Sequence, residues 1–275
     1  MSYESEANLV VHTCERFEVA RVTVLSCLAF GGDVPLAVLD DCSNEPRIDK
    51  WLTSLMQSGM LLYLRSPERI GIGRMYRWTA DLAPDFGGYM IHVDGDMLVC
   101  PDAAQNLYAA LKHWEPDGIG MLSGFGLRGR RPDVIQTDGW QVYNGHFSDI
   151  AFWIISAENL LKYRPNIRTV LYGQPLAGVK LHMLRDGLER KLCLAPRIKV
   201  VHLGRFDSTV PNPRGSAVRC YYGCFKTNPC PDLFDSKDFV SHYPASATDL
   251  GTRIRDDYLS RWDGIYDADR GVGIT

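Results

Sequence analysis

Short apolar runs alternate with helical patterns over the first hundred residues of the chain. Residues 9–13 form the first apolar run, and residues 18–30 then place Val19, Val22 and Leu25 on one face of a helix. This alternation predicts an α/β protein with a parallel sheet. Further strands are predicted at residues 35–39, 60–64, 89–93, 119–123, 150–155 and 199–202. Further helices are predicted at residues 48–58, 75–83, 103–113, 157–163 and 175–187, and Pro84 is expected to end the helix before it.

The regular alternation weakens after Pro101. Residues 124–139 contain glycines and arginines without periodicity and are predicted to form a loop. Residues 205–275 have several prolines and glycines and are predicted to wrap around the rest of the chain. One α/β domain with an irregular second half is therefore expected.

Composition and charge narrow the class of protein. Apolar residues make up 45% of the 275 residues, and 30 basic against 33 acidic side chains give a net charge of −3, which argues against a surface that wraps a polyanion. The longest apolar stretch, residues 22–39, is interrupted by glycines and Pro35, and the acidic start does not resemble a signal peptide. With eight cysteines expected to be mostly reduced, the expected location is the cytoplasm.

Candidate chemistry is concentrated where three predicted strands end. These ends read Thr13-Cys14-Glu15-Arg16, Asp40-Asp41 and Asp94-Gly95-Asp96, and ligands of parallel sheets bind at the carboxyl ends of the strands. Two carboxylates one residue apart can hold Mn²⁺ or Mg²⁺, and a glycine between them allows close approach. Such a cation bridges diphosphate oxygens and stabilises a leaving group. A turn or helix cap is the alternative interpretation of the same residues.

These stretches resemble the GT-A nucleotide-sugar glycosyltransferases, most closely the family 2 type. The resemblance rests on residues 10–16, 38–44 and 71–77 and on Asp94-Gly95-Asp96, and continues more weakly from Gly173 to His202. It implies a GT-A type, Rossmann-like α/β fold: a mostly parallel sheet flanked by helices, with an irregular C-terminal acceptor region. Residues 1–102 would bind the nucleotide sugar, residues 103–204 would form the acceptor-binding half, and residues 205–275 would wrap around both.

The resemblance also implies a set of donor-binding residues. They are Thr13, Glu15, Arg16, Asp40, Asp41, Gly71, Arg74, Asp94, Gly95 and Asp96. Thr13 and Glu15 would border the nucleobase and ribose, and Asp40 or Asp41 would accept a hydrogen bond from a uracil-type imide. Arg74 would pair with the diphosphate, for which a guanidinium fork is suited. Loop, cap and solvated roles are the alternatives for these residues.

The metal ligands that the resemblance implies are Asp94, Asp96 and His202. His202 ends a predicted strand, where many members of the family place a third ligand. A hydrogen-bonded histidine of the core is the alternative.

One departure from the family concerns the general base. Inverting family 2 enzymes carry a Glu-Asp pair at a position that reads Gln174-Pro175 here, and neither side chain accepts a proton. Asp149 is the leading replacement as catalytic base, ahead of Asp138 and Asp207. Retention of configuration, or loss of activity, are the other interpretations.

The function that follows is a metal-dependent glycosyltransferase, expected to be a hexosyltransferase. It would transfer a sugar from a UDP-linked donor to a hydroxyl acceptor on a glycan, a lipid-linked glycan or a modified nucleic acid, as in phage-type DNA glycosylation. A nucleotidyltransferase is disfavoured because residues 12–16 contain no glycine to cradle a triphosphate. A non-catalytic relic that binds nucleotide sugars is the alternative outside the enzymes.

Two further clusters have open interpretations. An arginine cluster in the predicted loop could bind a phosphate-bearing acceptor or be solvated, and a late cysteine cluster, whose spacing matches no standard finger, could bind zinc. The arginines are Arg128, Arg130 and Arg131, and the late cluster is Cys220, Cys224 and Cys230 with His242. Four other cysteines are predicted to be buried thiols, namely Cys14, Cys27, Cys42 and Cys100.

Overall fold

The computed structural model describes residues 6–32, 34–99, 102–124, 134–137, 140–143, 151–169, 175–193 and 200–202. Its strands are β1 (Ala7–Thr13), β2 (Leu36–Asp40), β3 (Leu62–Arg65), β4 (Tyr89–Asp94), β5 (Met97–Val99), β6 (Ile119–Ser123), β7 (Val134–Thr137), β8 (Trp140–Tyr143), β9 (Phe152–Ser156), β10 (Glu189–Cys193) and β11 (Val200–His202). Its helices are α1 (Phe17–Phe30), α2 (Pro46–Gln57), α3 (Ile72–Phe86), α4 (Ala103–Trp114), α5 (Ala157–Tyr163) and α6 (Ala177–Arg185).

Nine of the described strands form one sheet, in the order β3-β2-β1-β4-β9-β6-β10-β8-β7. Strands β3, β2, β1 and β4 are parallel to one another, and β9 lies antiparallel between β4 and β6. The remaining two strands, β5 and β11, form a separate antiparallel pair. The mostly parallel α/β sheet expected from the sequence is confirmed.

Helices cover both faces of the sheet and bury two hydrophobic clusters. Along β1, Leu9 and Val11 pack into the cluster that contains α1, α2 and α4, whereas Val10 packs into the cluster that contains α3, α5 and α6. Both faces are therefore apolar, which explains why the strands read as continuous apolar runs rather than as alternating ones.

Helix α3 is longer than its sequence predicts. It begins at Ile72 rather than at residue 75 and continues through Pro84 to Phe86. Pro84 lacks the N–H that would donate to the Ala80 carbonyl, but the buried Ala80 and Ala83 hold this last turn against the sheet, and the Gly87 amide donates to the Ala83 carbonyl at 2.9 Å. The expectation that Pro84 ends the helix is wrong for this reason.

Several strands were not predicted. Part of the predicted loop at residues 124–139 is β7, and β5, β8 and β10 also lie outside the predicted strands. Strand β10 pairs with β6 and β8, which are distant in the chain. Tertiary pairing of this kind overrides weak local patterns.

The cysteine prediction holds only in part. Cys27 is buried, but Cys14 is exposed and Cys42 is half-buried, because both follow strand ends at the edge of the sheet. Cys100, the late cysteine cluster with His242, the three loop arginines and the segment 205–275 lie outside the described residues. Within the described residues, the helices are too short or too polar to cross a membrane.

Candidate functional site

The three polar strand ends lie side by side at one edge of the sheet. Thr13 at the end of β1 is in register with Asp40 at the end of β2, and His12 is in register with Asp94 at the end of β4. The sheet therefore brings the three stretches together, at the edge where α/β proteins bind their ligands.

Asp40 organises the loop that follows β2. Its carboxylate accepts hydrogen bonds from Thr13 Oγ1 at 3.0 Å, from the Ser43 amide at 2.9 Å and from Ser43 Oγ at 2.5 Å. Arg65 Nε lies 3.5 Å from the same carboxylate, whose side chain is 0% exposed. Asp40 is thus a buried, fully partnered group, and Thr13 beside it is buried as well.

Asp41 holds the start of α3. Its two carboxylate oxygens accept hydrogen bonds from the backbone amides of Ile70 at 2.6 Å and Gly71 at 3.0 Å. Gly71 has φ 78° and ψ 161°, a conformation that is essentially confined to glycine. Arg74 is exposed on the first turn of α3. Asp41 therefore fixes the helix start that presents Arg74.

Glu15 ties the end of β1 to the β2 loop. Its carboxylate accepts from the backbone amides of Asn44 at 2.9 Å and Glu45 at 3.1 Å, and it pairs with Arg69 Nη2 at 2.5 Å. Glu15 and Arg16 both have φ 58°, so the turn after β1 carries two consecutive left-handed residues. Such conformations persist where the surrounding contacts over-determine them.

Arg16 reaches the second aspartate of Asp94-Gly95-Asp96. Its Nη1 lies 3.3 Å from Asp96 Oδ2, and the two side chains are 18% and 21% exposed. Gly95 allows this approach: a Cβ at that position would lie 2.5 Å from the His12 carbonyl oxygen. The turn after β4 thus lies directly against the end of β1.

Asp94 contacts a buried aromatic cluster below the site. His92 Nε2 lies 2.7 Å from Asp94 Oδ1 and 3.0 Å from the Tyr76 hydroxyl. His12 Nε2 lies 2.6 Å from Thr79 Oγ1 in the same cluster. Burial lowers the pKa of His92 to about 3. Burial, reinforced by the neighbouring His92, also holds the pKa of His12 well below its usual value.

The backbone of His202 lies close to the two aspartates. Strand β11 pairs with β5, and His202 is in register with Met97, the residue after Asp96. A metal-ligand role for the His202 side chain stays a prediction. Asp149, the predicted base, lies outside the described residues, as do Asp138 and Asp207.

Asp94 and Asp96 suit a hard cation that takes the rest of its coordination shell from other ligands. Their side chains are 25% and 21% exposed, and the Arg16 guanidinium against Asp96 shows that a positive charge is accommodated there. Among the described residues, no three metal-ligating side chains cluster together. Asp94 and Asp96 therefore fit a cation of the Mg²⁺ type, which is commonly bound by one or two carboxylates together with substrate phosphates.

Several residues of this site were missed from the sequence. Ser43 lies three residues after Asp40, a spacing at which an aspartate caps its own turn and which could have identified it. His92 lies two residues before Asp94 on one strand, so both side chains point to the same face. Arg65 and Arg69 have no such local signal.

The sheet order, the helices on both faces and the polar strand ends define a GT-A type α/β fold. The structure of GalNAc-T7 with UDP, GalNAc and Mn²⁺ is similar at a TM-score of 0.53 and 14% identity, over 93% of this chain and 54% of that one. This chain thus spans about half the length of that protein, and at this identity the similarity establishes the fold alone.

Two weaker similarities have TM-scores below 0.5 and add nothing to the assignment. They are S. aureus TarS 1–349 with UDP, at 0.48 and 15% identity over 69% of this chain and 58% of that one, and a glucose-1-phosphate thymidylyltransferase from Bacillus anthracis, at 0.44 and 9% identity over 71% and 89%. No protein-family model and no curated protein matches the chain.

Proposed function

We propose that this protein is a metal-dependent glycosyltransferase that transfers a sugar from a UDP-linked donor to a hydroxyl acceptor. The observation that carries the proposal is the pair Asp94 and Asp96, partly exposed at and just after the end of β4 and beside Arg16, in a GT-A type fold. A solved structure of similar fold, GalNAc-T7, holds UDP, GalNAc and Mn²⁺, which supports the donor class and the metal.

In this proposal Asp94 and Asp96 hold the cation, with His202 as the third ligand. The bound cation would offset the negative charge that develops on the departing nucleoside diphosphate. Arg16 would turn from Asp96 towards the diphosphate, and Arg74 would reach it from the first turn of α3. Both guanidinium groups suit bidentate contact with phosphate oxygens.

The buried aspartates at the end of β2 act mainly by shaping the donor site. Asp40 and Asp41 accept hydrogen bonds from protein donors on both carboxylate oxygens. They therefore order the loops that would border the nucleotide. Asp41 is 5% exposed and Asp40 is 0% exposed, so Asp41 is the candidate for a contact with the uracil-type imide.

The proposal assigns a different role to each of three segments of the chain. Residues 1–102 would bind the donor, residues 103–204 the acceptor, and residues 205–275 would wrap around both. Asp149 is the proposed base, whether the acceptor is a glycan, a lipid-linked glycan or a modified nucleic acid. The family 2 type, hexosyl transfer and a cytoplasmic location stay predictions.

The test measures UDP release from a panel of UDP-sugars by the full chain with Mn²⁺. We expect release with at least one donor, loss of release in EDTA, and recovery with excess Mn²⁺ or Mg²⁺. Asp96→Ala should abolish release without changing the circular dichroism spectrum, because the side chain lies at an accessible strand end.

The matched control is Asp117→Ala. Asp117 is exposed and precedes β6, at the opposite edge of the sheet, so its removal should leave release unchanged. Full activity in EDTA, or in Asp96→Ala, would contradict the proposal. Tight UDP-sugar binding without any release would instead identify the non-catalytic relic.

A further inference from the structure

We propose that His92 is a positioning residue that holds the Asp94 carboxylate ready for the cation. The inference rests on the proposed function, because it takes Asp94 as a metal ligand. His92 is 0% exposed and would touch neither donor nor cation. Its contribution would pass through the hydrogen bond between its Nε2 and Asp94 Oδ1, which are 2.7 Å apart.

The ring of His92 is held in one orientation by its neighbours. It stacks on Trp153, with the ring centroids 5.1 Å apart and the planes at 25°. His12 meets it edge-on at 4.4 Å, and Tyr76 packs at 4.8 Å. Because His92 and Asp94 lie two residues apart on β4, their side chains emerge on the same face of the strand. The strand and the stack together aim Nε2 at the carboxylate.

The hydrogen-bond geometry indicates which nitrogen of the His92 ring carries the proton. An ionised carboxylate only accepts hydrogen bonds, so Nε2 carries the proton and donates it to Asp94. Nε2 also lies 3.0 Å from the Tyr76 hydroxyl, whose oxygen can accept from the same N–H. The other ring nitrogen, Nδ1, is buried and has no hydrogen-bond partner among the described residues.

A buried ring nitrogen left without a hydrogen-bond partner is a cost to folding. An apolar ring would stack on Trp153 without that cost, so the packing alone does not require a histidine. What a histidine adds at this position is the Nε2–H donor, which lies 2.7 Å from Asp94 Oδ1 and 3.0 Å from the Tyr76 hydroxyl oxygen. Hydrogen-bonded partners of this kind orient ligating carboxylates and are worth about 10–100-fold in metal affinity.

The test compares metal binding by His92→Gln and His92→Met in the full chain. The two side chains are similar in length, but only glutamine places an N–H donor near the position of the imidazole Nε2. Free Mn²⁺ is measured by electron paramagnetic resonance, with Mn²⁺ alone and with Mn²⁺ plus UDP. We expect His92→Met to weaken Mn²⁺ binding by about tenfold and His92→Gln to retain most of the affinity of the unmodified chain.

His92→Phe is a third variant, for the case that the flexible glutamine and methionine side chains disturb the core. It keeps an aromatic ring against Trp153. It should bind Mn²⁺ as weakly as His92→Met, because it also lacks the donor. Thr79→Val is the control for general disturbance of the cluster, since Thr79 contacts His12 at 2.6 Å. It should leave Mn²⁺ affinity unchanged.

The outcomes separate this inference from the proposed function. If the unmodified chain binds no Mn²⁺ with or without UDP, the metal site itself fails. If the unmodified chain binds Mn²⁺ and folded His92→Met or His92→Phe binds it equally well, the positioning role is overturned. Equal weakening by Thr79→Val would also overturn it, because the effect would then come from packing.

Discussion

Adjacent side chains at the end of β2 hold different parts of the site. Asp40 faces inward and accepts hydrogen bonds from Thr13 and Ser43, whereas Asp41 accepts from the amides that begin α3. The residue types alone suggested two equivalent candidates for a base contact. Their burial and partners make the first an organiser of its own loop and the second an organiser of a helix start.

The ion pair between Arg16 and Asp96 predicts that removing the arginine has opposite effects on the affinities for Mn²⁺ and for UDP. Arg16→Gln removes a positive charge from beside Asp96, so Mn²⁺ alone should bind about fivefold more tightly, since a partly exposed ion pair is worth about 1 kcal/mol. UDP in the presence of Mn²⁺ should bind more weakly, because a diphosphate contact is lost. Calorimetry of both ligands checks the two signs.

The control for net charge is Arg185→Gln, an exposed arginine at the end of α6. It should change neither affinity measurably. Weaker binding of Mn²⁺ alone by Arg16→Gln would show that the ion pair supports the metal site instead of competing with the cation.

Helix α3 shows how one element receives its start from elsewhere in the chain. Its periodicity predicts a helix from residue 75, but the helix begins at Ile72 because Asp41, 29 residues before Ile70, accepts the amides in front of it. Gly71 supplies the backbone conformation that this arrangement needs. The exposed first turn, with Arg74, depends on both.

Gly71→Ala should therefore destabilise the fold by about 1–3 kcal/mol and weaken UDP binding in Mn²⁺. Gly87→Ala is the matched control, because Gly87 has φ 67° and ψ −179° at the other end of the same helix. It should lower stability by a similar amount and leave UDP affinity unchanged. Denaturant unfolding and calorimetry measure the two effects, and equal loss of UDP affinity in both variants would remove the start of α3 from the donor site.

For the whole molecule, the continuous sheet places two neutral histidines in the core directly below an acidic strand end. His12 on β1 and His92 on β4 are in contact, with ring centroids 4.4 Å apart, and they share the cluster with Tyr76 and Trp153. Their folded-state pKa values are lowered. Unfolding exposes both rings to water and so takes up protons at mildly acidic pH.

The free energy of unfolding should accordingly be constant above about pH 7 and fall as the pH drops from about 6.5 towards 3. The unfolded chain binds more protons than the folded chain in this range, so acid favours unfolding. His92 faces His12, Tyr76 and Asp94. Its own contribution to the fall in the free energy of unfolding between pH 6.5 and 5 is about 1.5 kcal/mol. Denaturant unfolding in EDTA at several pH values should show that the free energy of unfolding of His92→Met falls by that much less over the same range.

The comparison variant is His113→Gln, because His113 is exposed on α4 and lies outside the buried histidine cluster. Its pH profile should follow that of the unmodified chain. If His92→Met keeps the full acid dependence, the buried ring does not carry it.

The sequence by itself determined the order of strands and helices through α4 and β6, except for the short strand β5, and the polar residues at three strand ends. These features depend on periodicity and residue type over a few neighbours, which a chain displays without its fold. The α/β class followed from them, and the resemblance to the GT-A nucleotide-sugar glycosyltransferases implied the GT-A type fold and the candidate site residues.

Only the tertiary structure decided which groups meet. Arg16 pairs with Asp96 across 80 residues and Glu15 with Arg69 across 54, and β10 forms only between β6 and β8. Contacts between distant segments have no local period, so the inward role of Asp40, the early start of α3 and the packing of His92 against His12 and Trp153 had to come from the folded chain.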